Sequence, residues 1–288
     1  MKRAFFLLFS LGLFLLAAGF SGALELEITG GLNFLTFDSE GSILNAPSEE
    51  LKPVPFIIST ASLKGNLTNS FAIGINFERD SLFENIVDLR FSARKDYFAL
   101  ELGSFVGFNS NFDIPDAGIL GSIEVTWPGV LFLSFSGSST LGAQFNFSSN
   151  TVRETIEARL GFWLPFGMTN VSVLSKNYTR YTENNDNQQS LSDSLLRYQL
   201  SVEFFSKNSP FLLRIDGGYF TLKRTYGNTN TTDELNAFFA GLEMNLSISK
   251  VRLIAGAEVP FIITSFSPMT VSSDILFKAY AGIAYRFF

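Results

Sequence analysis

Val87-Asp88-Leu89-Arg90-Phe91-Ser92-Ala93-Arg94 decides the fold. Oily and polar residues alternate through it without a break, which is the period of a β-strand with one face in an apolar medium and the other in a polar one. The same dyad recurs outward in both directions. Phe71, Ile73, Ile75 and Phe77 alternate with Ala72, Gly74, Asn76 and Glu78; Ile156, Ala158, Leu160 and Phe162 with Glu157, Arg159, Gly161 and Trp163. Tyr198, Leu200, Val202 and Phe204 interleave with Arg197, Gln199, Ser201 and Glu203, and Val251, Leu253, Ala255, Ala257 and Val259 with Arg252, Gly256 and Glu258.

Marking every such run predicts about fourteen strands, near 24–37, 53–64, 70–79, 86–94, 97–108, 118–127, 130–147, 152–164, 170–181, 195–205, 211–225, 235–248, 251–263 and 275–288. Twelve or sixteen strands also fit the pattern. Pro53 and Pro55 point to a frayed start for the second strand, and the Ser-Gly stretch at 136–139 reads as strand or loop.

The composition narrows what such strands build. Of 288 residues 46% are hydrophobic, 15% aromatic and 17% charged, with 33 Phe and neither Cys nor His. A disordered chain lacks that aromatic content. Disulfide scaffolds and thiolate metal sites need Cys, and imidazole chemistry is excluded. A net charge of -6 argues against nucleic acid, whose phosphates call for a basic field.

Lys2 and Arg3, the apolar run from Ala4 to Leu16 and the small residues Ser21-Gly22-Ala23 have the order of a secretory signal peptide, with cleavage expected after Ala23. The two domains are then a signal peptide at 1–23 and a barrel at 24–288. An uncleaved anchor is the alternative, and no Cys follows to carry a lipid. Beyond 23 no apolar run approaches the roughly 20 residues of a spanning helix. An exported, Phe-rich, strand-built chain leaves two architectures, a soluble sandwich or a lipid-facing barrel.

The links between strands favour the barrel. Tight links at Gly65 to Asn69, Lys95-Asp96, Pro128-Gly129, Pro165 to Thr169, Ser206 to Pro210 and Ser249-Lys250 alternate with longer polar ones such as Asp38 to Lys52, Thr182 to Ser194, Tyr226 to Glu234 and Thr264 to Asp274. Short turns at one end and loops at the other are the parity of an up-and-down transmembrane barrel. Phe71, Phe98, Trp127, Phe166, Phe205, Phe211 and Tyr285 fall beside the tight end, where an interfacial aromatic girdle belongs.

The chain closes on Gly282-Ile283-Ala284-Tyr285-Arg286-Phe287-Phe288. This resembles the C-terminal insertion signal of bacterial outer-membrane β-barrel proteins, with Gly282, Tyr285, Phe287 and Phe288 as its elements and one Phe more than usual at the end. The resemblance implies periplasmic transit, recognition by the barrel-assembly machinery and residence among outer-membrane lipids; the size is similar to that of monomeric porins of about fourteen strands.

The parity opposite the oily face assigns the lumen. Its acids are Glu25, Glu27, Glu78, Asp88, Glu101, Glu124, Glu157, Glu203, Asp216, Glu243 and Glu258. Its bases are Arg90, Arg94, Arg153, Arg159, Lys176, Arg180, Arg197, Arg214, Arg252, Lys278 and Arg286. Eleven face eleven, so the wall is expected to be polar and mixed. Fourteen strands about 4.8 Å apart and tilted about 40° give a backbone diameter of about 28 Å, leaving a passage of about 10 Å unless a loop folds in.

The expected function is a passive, water-filled channel for small hydrophilic solutes, working without cofactor or metal. The alternative is a structural or adhesive barrel acting through loops such as Thr182 to Ser194. An enzyme is disfavoured, because outer-membrane phospholipases, omptin-type proteases and lipid A acyltransferases and deacylases, the barrel enzymes such a chain would resemble, use a His base, and no carboxylate pair stands out. No nucleic-acid partner is expected, and a monomer is favoured.

Overall fold

The computed structural model describes residues 24–33, 56–80, 82–108, 116–141, 151–184, 187–205, 209–227, 231–267 and 277–287. The expected signal peptide, Phe288 and most of the longer links lie outside them. The described residues form β1 (Leu24–Asn33), β2 (Phe56–Asn66), β3 (Phe71–Asp80), β4 (Glu84–Lys95), β5 (Phe98–Phe108), β6 (Asp116–Trp127) and β7 (Leu131–Thr140). They continue as β8 (Thr151–Leu164), β9 (Gly167–Asn184), β10 (Asn187–Phe205), β11 (Phe211–Tyr226), β12 (Thr231–Ile248), β13 (Val251–Ser267) and β14 (Lys278–Arg286).

Each strand pairs antiparallel with its sequence neighbours, and β1 pairs with β14 from Glu25↔Arg286 to Asn33↔Lys278. The fourteen strands therefore close into a barrel without an edge, and every strand has a hydrogen-bonding neighbour on both sides. In hydrocarbon that is a requirement, since an unpaired backbone N–H or C=O costs several kcal/mol there.

The outer face is apolar and uncovered. Phe91, Leu102, Ile123, Phe135, Ile156, Leu200, Ile215 and Leu253 all point outward and are exposed. Soluble monomers rarely show contiguous apolar patches beyond a few hundred Å². On β10 the apolar outward positions run from Leu196 to Phe204, which at about 3.3 Å per residue and about 40° of tilt is about 20 Å, near the roughly 25 Å apolar band of a membrane barrel. Above it the outward positions turn polar, and Thr179 and Ser192 hydroxyls meet there at 3.0 Å. Phe71, Phe98, Trp127, Phe166, Phe211 and Tyr285 stand exposed at the tight-turn end. Phe205 departs from the expected girdle. It shares the inward parity of Glu203 and packs edge-on against Trp163, whose ring centroid is 6.1 Å away.

The wall is uneven in height. Strands β9 to β13 have 18, 19, 16, 18 and 17 residues, whereas β1, β3 and β7 have 10 each. The stretch expected as a loop from Thr182 to Ser194 is mostly strand, because the backbone ladder continues where the outer side chains have become polar. The loop expected from Tyr226 to Glu234 shrinks in the same way, with Thr231 already paired to Tyr226. The Ser-Gly stretch 136–139 is strand, paired to β6 and β8.

Candidate functional site: the divided lumen

The link between β3 and β4 is only three residues long, and its Leu82 and Phe83 turn inward. Its shape is set by Asp80, whose Oδ1 accepts hydrogen bonds from the backbone N–H of Leu82 (2.7 Å) and Phe83 (2.5 Å). Glu84 closes the turn with φ 59°, in the left-handed region. Leu82 and Phe83 are thereby carried off the wall. They pack with Tyr178 of β9, Phe220 and Leu222 of β11, and Leu235, Ala237 and Phe239 of β12 in one buried cluster inside the barrel. Phe83 and Tyr178 meet edge-to-face with centroids 6.2 Å apart.

The β3–β4 tip is a link that folds in, so the passage of about 10 Å expected in its absence is divided, and the cluster adds buried apolar residues to a wall expected to be polar and mixed. The dyad located apolar residues on the outer face; it gave no account of inward Phe220, Leu222, Leu235 and Phe239, which have a partner only because the tip crosses the lumen. A signal was present: Leu82-Phe83 is an apolar pair in a link between strands, two residues after an Asp able to cap a turn.

Charges fasten the tip. Lys176 Nζ donates to Asp80 Oδ2 at 2.5 Å and Glu78 Oε1 at 3.2 Å, and sits 5.0 Å from the Phe83 ring centroid. Arg153 and Asp116 have no side-chain exposure and form an ion pair. The guanidinium of Arg153 also donates to the Phe83 carbonyl at 3.1 Å and to the Tyr178 hydroxyl at 3.3 Å. Asp116 accepts a further bond from the Thr151 hydroxyl at 2.5 Å.

Two cavities lie on either side of this crossing. The first, of about 450 Å³, is bordered chiefly by β9 to β14 with β1 to β3. Its lining descends from Asp193 and Arg224, level with the tip, to Glu203 and Arg214 just above the tight turns. Seven carboxylates and seven cations border it. The second, of about 540 Å³, is bordered by β4 to β8 and reaches from Phe83 and Arg153 down to Glu101, Glu124 and Ser134. Glu78, Glu157, Arg159, Leu174 and Lys176 border both.

The residues read as lumen-lining occupy these surfaces as follows. Arg197, Glu203, Arg214, Asp216 and Glu258 border the first cavity, and Asp88, Arg90, Glu101 and Glu124 the second. Glu78, Glu157 and Arg159 border both. Arg94, Glu243 and Arg252 border neither; they pair with Glu124 at 3.2 Å, Arg214 at 2.9 Å and Glu27 at 2.5 Å respectively. Most wall charges are matched locally: Arg90 to Asp88 at 2.6 Å and Glu101 at 3.1 Å, Arg159 to Glu157 at 2.7 Å, and Arg214 to Asp216 at 3.1 Å. At the seam, Glu25 accepts from Arg252 at 3.2 Å and Arg286 at 3.3 Å. Asp80, Phe83, Asp116, Tyr178 and Asp193 lie in the lumen as well and were not singled out by the dyad.

Among the described residues no group of three or more carboxylates is placed to hold a metal ion. Of the C-terminal residues read as an insertion signal, Gly282 and Tyr285 lie in β14, and Phe287 follows it, its N–H bonded to the Leu24 carbonyl at 2.8 Å.

No family model matches the sequence, and no curated protein does. Among solved structures, the chain is similar in form to in-vitro folded OmpT, an outer membrane protein of Vibrio cholerae, with 11% identity, TM-score 0.44, and coverage of 92% of this chain and 96% of that one. An outer membrane channel from Pseudomonas putida F1 gives 10% identity and TM-score 0.46, covering 92% and 95%. A Pseudomonas aeruginosa FadL homologue gives 9% and 0.43, covering 92% and 89%. Each likeness is one of barrel form, and the lumen is read from this chain's own residues.

Proposed function

We propose that this chain is a bacterial outer-membrane channel through which small hydrophilic solutes diffuse. One observation carries the reading: a charge-lined cavity follows β9 to β14 from the level of the tip to just above the tight turns, inside a barrel whose outer face is apolar. Paired charges make such a wall wettable without presenting a deep electrostatic trap, so solutes are admitted by size and polarity and leave again. The reading takes in export after removal of residues 1–23, insertion by the barrel-assembly machinery, and a monomer in lipid.

Single-channel recording on the refolded full-length barrel in planar bilayers tests it. Stepwise, ohmic conductance is expected, together with an outer-membrane position of the native protein and a mature N-terminus at Leu24. A correctly folded barrel that inserts and passes no current removes the channel.

The tall wall of β9 to β13 supports a second reading, a surface role for the hairpin ends that rise above the apolar belt. Loss of surface binding on trimming the β9–β10 hairpin, with conductance retained, would favour it.

A further inference from the structure

The two cavities end differently at the level of the tip. Over the β4 to β8 lobe the Arg153 side chain leaves β8, passes over β7 and pairs with Asp116 on β6, while its other nitrogens hold the Phe83 carbonyl and the Tyr178 hydroxyl. Gly107 of β5 makes room for it, since a Cβ there would fall on the guanidinium. Phe105 fills the adjoining space, its ring lying across Gly118 of β6. Arg153, Asp116, Phe83 and Phe105 are all 3% exposed or less. The side chains thus join β5, β6, β8 and β9 to the tip. Among the described residues the β9 to β14 lobe is crossed by the Arg197–Glu258 pair, but the cavity borders that pair and continues past it to Asp193 and Arg224.

We infer that Arg153 is a positioning residue that roofs the β4 to β8 lobe with the Phe83 tip, so that this lobe is a dead end and solute passes only along β9 to β14. The inference rests on the channel reading and deepens it by assigning the path. It follows from chemistry as well as shape: a guanidinium is the one side chain with enough fixed donors to hold a carboxylate, a carbonyl and a phenol at once. Removing it leaves Asp116 buried without its cation, which favours opening of the roof to water.

The chain has no Cys, so any introduced thiol is unique. Single-channel conductance is measured for the Gln199→Cys variant, on the β9 to β14 path, and the Ser136→Cys variant, in the closed lobe, before and after reaction with a bulky water-soluble methanethiosulfonate. Mass spectrometry verifies the labelling and heat-modifiable gel mobility the fold. Modification is expected to lower conductance in the Gln199→Cys variant and leave the Ser136→Cys variant unchanged. With Arg153→Met or Phe83→Ala added, unmodified conductance should rise by up to about twofold as a parallel path opens, and modification of Ser136→Cys should then lower it. A merely structural role for Arg153 would alter stability without moving the blocked path. The inference fails if modified Ser136→Cys blocks current with Arg153 and Phe83 intact, or if neither added substitution makes it do so. Absence of current from every folded variant counts instead against the channel itself, and removes both readings.

Discussion

Arg197 and Glu258 are joined by two parallel hydrogen bonds of 2.9 and 2.7 Å although two whole strands, β11 and β12, separate them. The guanidinium also lies 3.9 Å from the centroid of the Phe239 ring, so one face is spent on an aromatic surface and one edge on a carboxylate. Both side chains are largely buried, at 17% and 11% exposure. Glu258→Ala is therefore expected to cost about 3–5 kcal/mol, because it strands a buried cation. Arg94→Ala, which removes a pair that is 69% exposed on the Arg side, should cost less than about 1 kcal/mol. Urea unfolding in lipid vesicles, followed by gel mobility, measures both; equal losses would refute the distinction.

Lys176 is the cation of the waist, held between Glu78 and Asp80. Lys176→Gln leaves two carboxylates facing the path without their counter-charge. The reversal potential in a KCl gradient should move toward that of potassium, and a shift toward chloride would contradict the assignment.

Asp80 has two separable duties, capping the turn through Oδ1 and pairing with Lys176 through Oδ2. Asp80→Asn keeps an oxygen for the Leu82 and Phe83 N–H groups and loses the charge; Asp80→Ala loses both. The Ala variant should be less stable than the Asn variant by about 1 kcal/mol. Identical unfolding midpoints would show that the turn does not depend on the cap.

Adjacent positions on β10 test which face meets lipid. Leu200 is outward and 52% exposed, whereas Gln199 is inward and bonded to Arg197 and Ser201. Leu200→Arg near the middle of the apolar band should cost about 2–4 kcal/mol, and Gln199→Arg much less. Refolding yield and unfolding midpoint in vesicles report the contrast, and a reversed order would invert the sheet.

The architecture was legible because period two leaves little freedom. Once Val87, Leu89 and Phe91 share a face, Asp88 and Arg90 must share the other, and repetition around the chain with alternating link lengths dictates an up-and-down sheet. The limits of the apolar dyad also explain what it missed. It reports the lipid boundary, so it stopped short at Leu195, while β10 runs from Asn187 and its outward positions Ser190, Ser192 and Ser194 are polar. It is blind to contacts across the lumen: nothing local in Arg153 or Asp116 marks them as partners, because they meet only after β6, β7 and β8 are in register. Phe83 was a local anomaly, an apolar aromatic in a short loop-end link, and its meaning depended on Phe220 and Phe239 waiting on the far wall.

Such chords change the mechanics of the object. A ring of strands fastened only rim to rim can be squeezed into an ellipse; one braced from β3 to β9, from β6 to β8 and from β10 to β13 behaves as a truss, and bilayer compression is shared by the struts. Since Lys176 is 98 residues along the chain from Glu78, the β3 to β9 brace can form only once the ninth strand is in place, and a barrel built only that far still lacks its β10 to β13 strut.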